Sequence, residues 1–382
     1  VLRRRLSVFL GVDKGVFPPY SRCNEFTVNY KRRKTMEKLI DLRRDTITLP
    51  TLEMKEAAFH SSLGDAVYGE DPKQKELEEL AAFILGKERA LFLPSGTMGN
   101  LVALLTHTQR GNEIILEENA HIFTSETGGL AQVAGLMVKT LRGEDGAPEP
   151  EDIEKAIRPE NIHYPRTALI GLENTHYRYG GIVVPLAKLE KIREVANKHN
   201  LPIHLDGARL FNAAIYLGVE AKEIARYGDS VMISLSKGLG APVGSLLAGT
   251  GDFIKEAERY RKMLGGGMRQ TGWLCACGIV ALSRDNIARL QEDHDNAQFL
   301  AEGLWSLPGI KVNRCQVQTN FILADLSERG LSATVFLERI KEKGVLATKA
   351  GEFMVRFVTS REVNREDIAL ALQVIKEAID IS

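Results

Sequence analysis

The sequence predicts an α/β protein with a mainly parallel sheet. Three observations predict it. From about Ala90, short apolar runs alternate with amphipathic stretches, the pattern of strand–helix–strand units with both sheet faces covered. The run Val231–Met232–Ile233 leads into Ser234-Leu235-Ser236-Lys237-Gly238. A second run, Leu201–Leu205, ends in Asp206-Gly207-Ala208-Arg209, which sets a carboxylate 31 positions before the lysine. In such sheets ligands bind beyond the carboxyl ends of the strands, where both residues fall.

The elements follow in order. Residues 1–35 are basic and acid-poor, with Arg3-Arg4-Arg5 and Lys31-Arg32-Arg33-Lys34 against only Asp13 and Glu25. They read as an extension outside the fold, with a transit peptide as the other reading. The globular pattern opens at Met36. Strands are predicted at Ala90–Leu93, Glu113–Leu116, Leu136–Thr140, Ala168–Leu172, Pro202–Leu205, Val231–Leu235 and Gly244–Leu247. Helices are predicted at Leu186–His199 and Ala221–Tyr227. The style changes near Gly278–Leu290, read as one long helix that runs on through His294. A strand at Thr319–Leu326, a helix at Ala333–Lys343, a strand at Met354–Val358 and a helix from Arg365 to Ile379 then read as a smaller α+β domain. The expected division is 36–285 and 286–382.

Composition narrows the function. The 382 residues carry 50 basic and 50 acidic side chains, so net charge gives no argument for nucleic acid or an anionic membrane surface. No apolar stretch is long enough to span a bilayer. The four cysteines, Cys23, Cys275, Cys277 and Cys315, form no disulfide framework and no complete zinc motif; they suit a reducing, cytoplasmic setting.

The lysine and aspartate together point to pyridoxal phosphate. A lysine amine condenses with the cofactor aldehyde, and a carboxylate keeps the pyridine nitrogen protonated, so that the ring accepts electrons. Leu93-Pro94-Ser95-Gly96-Thr97 reads as a strand end and helix start, which offers amides and hydroxyls to a phosphate; an ordinary helix cap is the competing reading. His121 follows a strand and could stack on a planar ring. His121 or His163 could serve as a base. Lys262 and Arg269 flank Gly265-Gly266-Gly267. Arg356 sits among apolar neighbours in a predicted strand, so it needs either a substrate carboxylate or a buried acid as partner.

Read together, these motifs resemble the low-specificity L-threonine aldolase family, pyridoxal-phosphate enzymes of fold type I. The resemblance runs from Ile40 to about Ile379. It rests on Asp41-Leu42-Arg43-Arg44-Asp45-Thr46, Val67-Tyr68-Gly69-Glu70-Asp71-Pro72, Pro94 to Asn100, Glu173-Asn174-Thr175-His176, His204 to Arg209, and Ser236-Lys237-Gly238. It implies retro-aldol cleavage of threonine-like substrates to glycine and an aldehyde. Lys237 would hold the cofactor, Asp206 its ring nitrogen, and Ser95, Gly96 and Thr97 its phosphate. Arg209 would lie near the phenolic oxygen, and His121 would stack on the ring. His163 would approach the substrate hydroxyl and Arg356 the carboxylate, with Arg44 and Tyr68 close to the substrate. Lys262 and Arg269 would reach the phosphate of a neighbouring subunit, in a homotetramer with sites at a dimer interface. No metal is implied. The other readings are a β-eliminating lyase, a serine hydroxymethyltransferase-like enzyme, or a non-catalytic cofactor-binding protein. The chain departs from the family at Arg44 (usually serine), Ala66 (often aspartate), Thr124 and Ser125 (usually larger) and Tyr177 (usually asparagine). These changes bear on substrate preference.

Overall fold

Strands β1 (Ile40–Asp41), β2 (Arg89–Leu93), β3 (Glu113–Glu117), β4 (Met137–Leu141), β5 (Thr167–Glu173), β6 (Ile203–Gly207), β7 (Ser230–Ser234) and β8 (Ser245–Gly249) form the first part of the chain. The computed structural model describes residues 39–380, so the basic segment 1–35 and Cys23 lie outside the described residues. Seven of these strands join one sheet in the order β2-β8-β7-β6-β5-β3-β4. Only β8 runs against its neighbours, β2 and β7; the pairs β3–β4, β3–β5, β5–β6 and β6–β7 are parallel. All seven predicted strands are present.

The sheet reads as continuous apolar runs because both faces are covered. On β7, Val231 and Ile233 pack into one core cluster with Leu77, Leu189 and Ile203. Met232 between them points the other way, into a cluster with Leu91, Val102 and Leu247. The helix Gly96–His107 lies on that second face. It comes so close that a Cβ at Gly99 would stand 2.7 Å from Met232 Cγ. Gly99 therefore serves helix–sheet packing, not ligand approach.

The smaller layer is built from β9 (Lys311–Val312), β10 (Phe321–Asp325), β11 (Val345–Leu346), β12 (Thr348–Lys349) and β13 (Met354–Val358). Its sheet is ordered β12-β13-β10-β9 and antiparallel. Phe321 and Arg356 belong to its two central strands. Its core also takes in Ile40 and Leu42, because β1 pairs with β11. Ile40–Ser382 forms one compact unit around these separate core clusters.

One element differs from expectation. The long helix predicted through Gly278–His294 is three helices, Gly272–Ala281, Arg284–Ala288 and Leu290–Trp305. Ser283 makes the first break: its side chain accepts from the Asn286 amide and starts a new helix.

Candidate active site

The sheet's topology gathers the site on one edge. β5, β6 and β7 are parallel and end at Glu173, Gly207 and Ser234, with Asp206 one residue before the end of β6, and the last runs on to Lys237. β2 delivers Pro94 and Ser95 to the same edge, and His121 follows β3. A cavity of about 210 Å³ opens there, lined by Ser95, Thr97, Asn100, His121, Asp206 and Lys237 among others. Burial, helped by the neighbouring Arg209 charge and opposed by Asp206 and Asp45, brings the Lys237 amine down to about 8. A sizeable uncharged fraction is therefore present near neutral pH, as a nucleophilic amine requires.

Asp206 is buried, and its oxygens are held from two sides. The Ala208 amide donates to Oδ1 at 3.1 Å and Asn100 Nδ2 donates to Oδ2 at 2.8 Å. The His121 amide donates to Glu173 Oε2 at 2.7 Å, and His121 Nδ1 lies 2.9 Å from Glu126 Oε1. Burial opposes a charge on His121, but Glu126, Asp206 and Glu173 outweigh it and raise its pKa. Burial also raises Glu126. Both moves favour one proton shared by the pair.

The anion end is a helix start. Ser95 caps the helix Gly96–His107 by accepting from the Met98 amide, which leaves the first amides of the helix for a ligand. A Cβ at Gly96 would lie 3.5 Å from Ser245 Oγ, a buried hydroxyl without a hydrogen-bond partner. The cap reading of this segment holds, and the cap leaves the first amides of the helix open to an anion.

A second cluster lies at the boundary with the smaller sheet. Arg209 pairs with Asp45 through two bonds of 2.6 and 2.7 Å, both groups buried. Arg356 stands 4.4 Å over the Tyr177 ring, and its Nε is buried without a partner. Among the described residues no carboxylate pairs with it, which removes the buried-salt-bridge reading of Arg356. Burial lowers the Arg356 pKa, with the Arg44 and Arg209 charges adding to it. Tyr177 also meets the His121 ring edge-on at 6.2 Å, so it links the two clusters.

Other expected residues lie elsewhere in this chain. His163 precedes β5 and so sits at the amino edge of the sheet, opposite Lys237; its placement on the catalytic edge is corrected. Its neighbours Asn161, Ile162 and Tyr164 line a separate cleft of about 870 Å³ with His107 and His199. That cleft is larger than the Lys237 cavity but holds none of the converging groups. Tyr68 and Lys262 line a third cleft, and Arg269 pairs with Asp65 at 3.2 Å. They do not reach the cavity of their own chain. Sequence reasoning singled out neither Asn100 nor Glu126, and it gave Asp45 no role; for Asn100 the signal was its place just past the first turn of the helix Gly96–His107.

Lys237, the buried Asp206, His121 and the helix start at Ser95 around one cavity fit pyridoxal phosphate. Fold and site together define a fold-type-I pyridoxal-phosphate enzyme. Residues 41–327 match the family described as Beta-eliminating lyase. The chain is 46% identical to the low specificity L-threonine aldolase of Escherichia coli K12 over 332 residues, 87% of this chain and 96% of that one. It is 44% identical to low-specificity L-threonine aldolase 1 of Arabidopsis thaliana over 345 residues, 89% and 96% of the two chains. The solved threonine aldolase of Leishmania major superposes with a TM-score of 0.77 at 23% identity, covering 89% of this chain and 99% of that one. The chain belongs to the low-specificity L-threonine aldolase family.

Proposed function

We propose that this chain cleaves threonine-type β-hydroxy-α-amino acids to glycine and an aldehyde, with pyridoxal phosphate held by Lys237. The observation that carries the substrate reading is Arg356, a buried guanidinium with a free Nε and no carboxylate partner among the described residues, which Tyr177 links to the cavity residue His121. An amino-acid carboxylate would supply the missing acceptor in bidentate form. That grip fixes how the Cα–Cβ bond stands to the cofactor plane. Bound there, pyridoxal phosphate supplies the electron sink for breaking that bond. Asp206 meets the ring nitrogen, and Ser95, Gly96 and Thr97 hold the phosphate. Arg209, fixed by Asp45, faces the phenolic side, with Arg44 and Tyr68 near the substrate.

Purified protein with threonine and allo-threonine tests this reading. Glycine and acetaldehyde in equal amounts are expected. Ammonia with a keto acid would mark a β-eliminating lyase instead, and a requirement for folate a hydroxymethyltransferase. The amine of Lys237 makes a further prediction. Only its uncharged form attacks an aldehyde, and that fraction grows as pH rises through about 8. Capture of pyridoxal phosphate by cofactor-free protein should accelerate as pH rises from 6 through 8 and level off above about pH 9. A rate still rising steeply at about pH 10, as for an ordinary lysine, would contradict the lowered value.

His121 is read as a stacking group, because its raised pKa and its bond to Glu126 suit a donor more than a base. Changing His121 to phenylalanine should keep the stack and lower kcat by less than about tenfold, whereas loss of a general base costs about 10²–10⁴-fold. A loss of that size would make His121 the base. We retain His163 for the substrate hydroxyl only as a residue of a neighbouring copy; Ile162 beside it is 96% exposed in the single chain. Lys262 and Arg269 are read in the same way for the phosphate. The assembly proposed is a homotetramer with sites at a dimer interface, supported by exposed Phe59, Tyr68 and Met263. Mixed oligomers of His163→Phe and Lys237→Ala chains should then regain activity that neither has alone. The cytoplasm is proposed as its location on the free thiols of Cys275, Cys277 and Cys315.

A further inference from the structure

A file of polar side chains crosses the interior from the amino edge of the sheet to Asp206. His107 ends the helix whose start forms the cradle, and its Nε2 lies 2.7 Å from Ser230 Oγ. Ser230 Oγ lies 2.8 Å from His204 Nδ1. His204 Nε2 lies 3.1 Å from Asn100 Oδ1. Asn100 Nδ2 then reaches both Glu126 Oε1 and Asp206 Oδ2 at 2.8 Å. Ser230, His204, Asn100 and Asp206 are all buried. The strand register explains the alignment: His204 is directly opposite Ser230 in the β6–β7 pair, and His204 and Asp206, two apart on β6, share a face.

The chemistry fixes the direction of every bond. The Asp206 carboxylate can only accept from Asn100, and Glu126 Oε1 keeps its shared proton on the His121 side, so both amide hydrogens point at these two oxygens. Its oxygen therefore faces His204, whose Nε2 must carry a hydrogen and donate. His204 Nδ1 is then bare and accepts from the Ser230 hydroxyl. With its one hydrogen used, Ser230 Oγ accepts from His107 Nε2. Burial pushes His204 down to about 3 and His107 down to about 4, so both rings are neutral near pH 7 and each has one hydrogen to place. The cofactor site needs Asp206 and Asn100; nothing in the reaction itself calls for His204, Ser230 or His107.

We infer that His204, Ser230 and His107 are positioning residues that lock the Asn100 amide with its donors on Asp206 and Glu126, and so preset the carboxylate that receives the cofactor's pyridine nitrogen. An amide without this lock could turn over and present its oxygen to two carboxylates. The residues act through Asn100 and touch neither substrate nor cofactor. The inference rests on the reading that the site takes pyridoxal phosphate.

The test is a titration of cofactor-free protein with pyridoxal phosphate, followed by visible absorbance. Pyridoxine phosphate, which has no aldehyde for Lys237, serves as a second probe of ring recognition, read by its displacement of the first. His204→Phe should weaken both probes on the order of tenfold, the effect of one buried hydrogen bond at about 1.4 kcal/mol per decade. Asn100→Ala should weaken them at least as much. The double variant should bind no more weakly than Asn100→Ala alone, because His204 has no route to Asp206 without the amide. Additive losses, or unchanged affinity in His204→Phe, would overturn the inference. If His204→Phe does not fold, Ser230→Ala carries the same test, with a smaller loss that also vanishes in the Asn100→Ala background. Thermal unfolding of the cofactor-free proteins separates packing from positioning: a lowered midpoint with unchanged affinity for both probes overturns it. Failure of the wild type to bind pyridoxal phosphate would instead sink the functional reading beneath it.

Discussion

Lys237→Ala should abolish turnover and leave no cofactor link that borohydride can fix. The residue follows β7, whose five residues are all buried, and its own backbone is pinned: the Thr48 hydroxyl donates to its carbonyl oxygen at 2.7 Å. Gly238 beside it has no room for a side chain, since a Cβ there would stand 2.8 Å from Leu290 Cδ2. The amine is thus delivered to one place, beside Asp206 and within reach of a ligand cradled at Ser95 to Thr97. Among the described residues no other lysine lines that cavity. The alanine variant should still fold, because the truncated group faces the cavity and not the core. It should still bind pyridoxal phosphate weakly through Asp206 and the helix start. Circular dichroism, borohydride labelling and a glycine assay read the three properties separately. Normal turnover in a folded variant would remove Lys237 from the mechanism.

Legibility in the sequence followed the range of the physical signal. Strand residues such as Val231, Met232 and Ile233 announce themselves because helices cover both faces, so every position is apolar. The helix misread through residues 278–294 failed for a local reason. Apolar periodicity continues across Leu282 and Ser283, and only the cap at Ser283 marks the break. At the site, Lys237, Asp206 and Ser95 were legible because each follows an apolar run directly. His163 was misplaced although its position before β5 was readable: strand ends are not equivalent, and only carboxyl ends feed this edge. Asn100 and Asp45 were given no part in the site because their meaning lies in partners far away; Glu126 meets His121 five positions off, across an irregular turn with no apolar period to mark it. Asn100 meets Asp206 across 106 positions and Asp45 meets Arg209 across 164, and no local pattern encodes either pair. Tyr177 was read only as a change that bears on substrate preference. Its ring lies under Arg356 at 4.4 Å, so it also governs how that arginine is held.

Asp45→Ala carries the other large expectation, and its effect is on stability before activity. Asp45 is fully buried and meets Arg209 through two charge-assisted bonds, while Asn320 Nδ2 approaches the same Oδ2 at 3.4 Å. Burial works against its charge, but the Arg209 guanidinium, together with Lys237, holds its carboxyl below the usual range. Removing one partner of such a pair leaves an uncompensated buried charge, which costs about 3–5 kcal/mol. Here the stranded Arg209 would also face Arg356, whose guanidinium already feels the Arg44 charge. Three cations would then lie close together with Glu173 as the remaining acid acting on Arg209, and Arg209 would have to move or draw in water. A large drop in the thermal midpoint is therefore expected, together with weaker substrate binding as Arg356 is displaced from Tyr177. Asp45→Asn keeps the shape and the bond to Arg209 but not the charge, so it should fall between wild type and alanine. The linkage has a definite sign. A carboxyl whose folded pKa is lowered contributes stability above its unfolded value, near 4, and loses it as pH falls through the folded one. The wild type should thus lose its advantage over Asp45→Asn as the solution is acidified below pH 4. Chemical denaturation of both proteins at pH 7 and at pH 3 measures this; equal stability at pH 7 would show that the pair contributes nothing net and only fixes where Arg209 points.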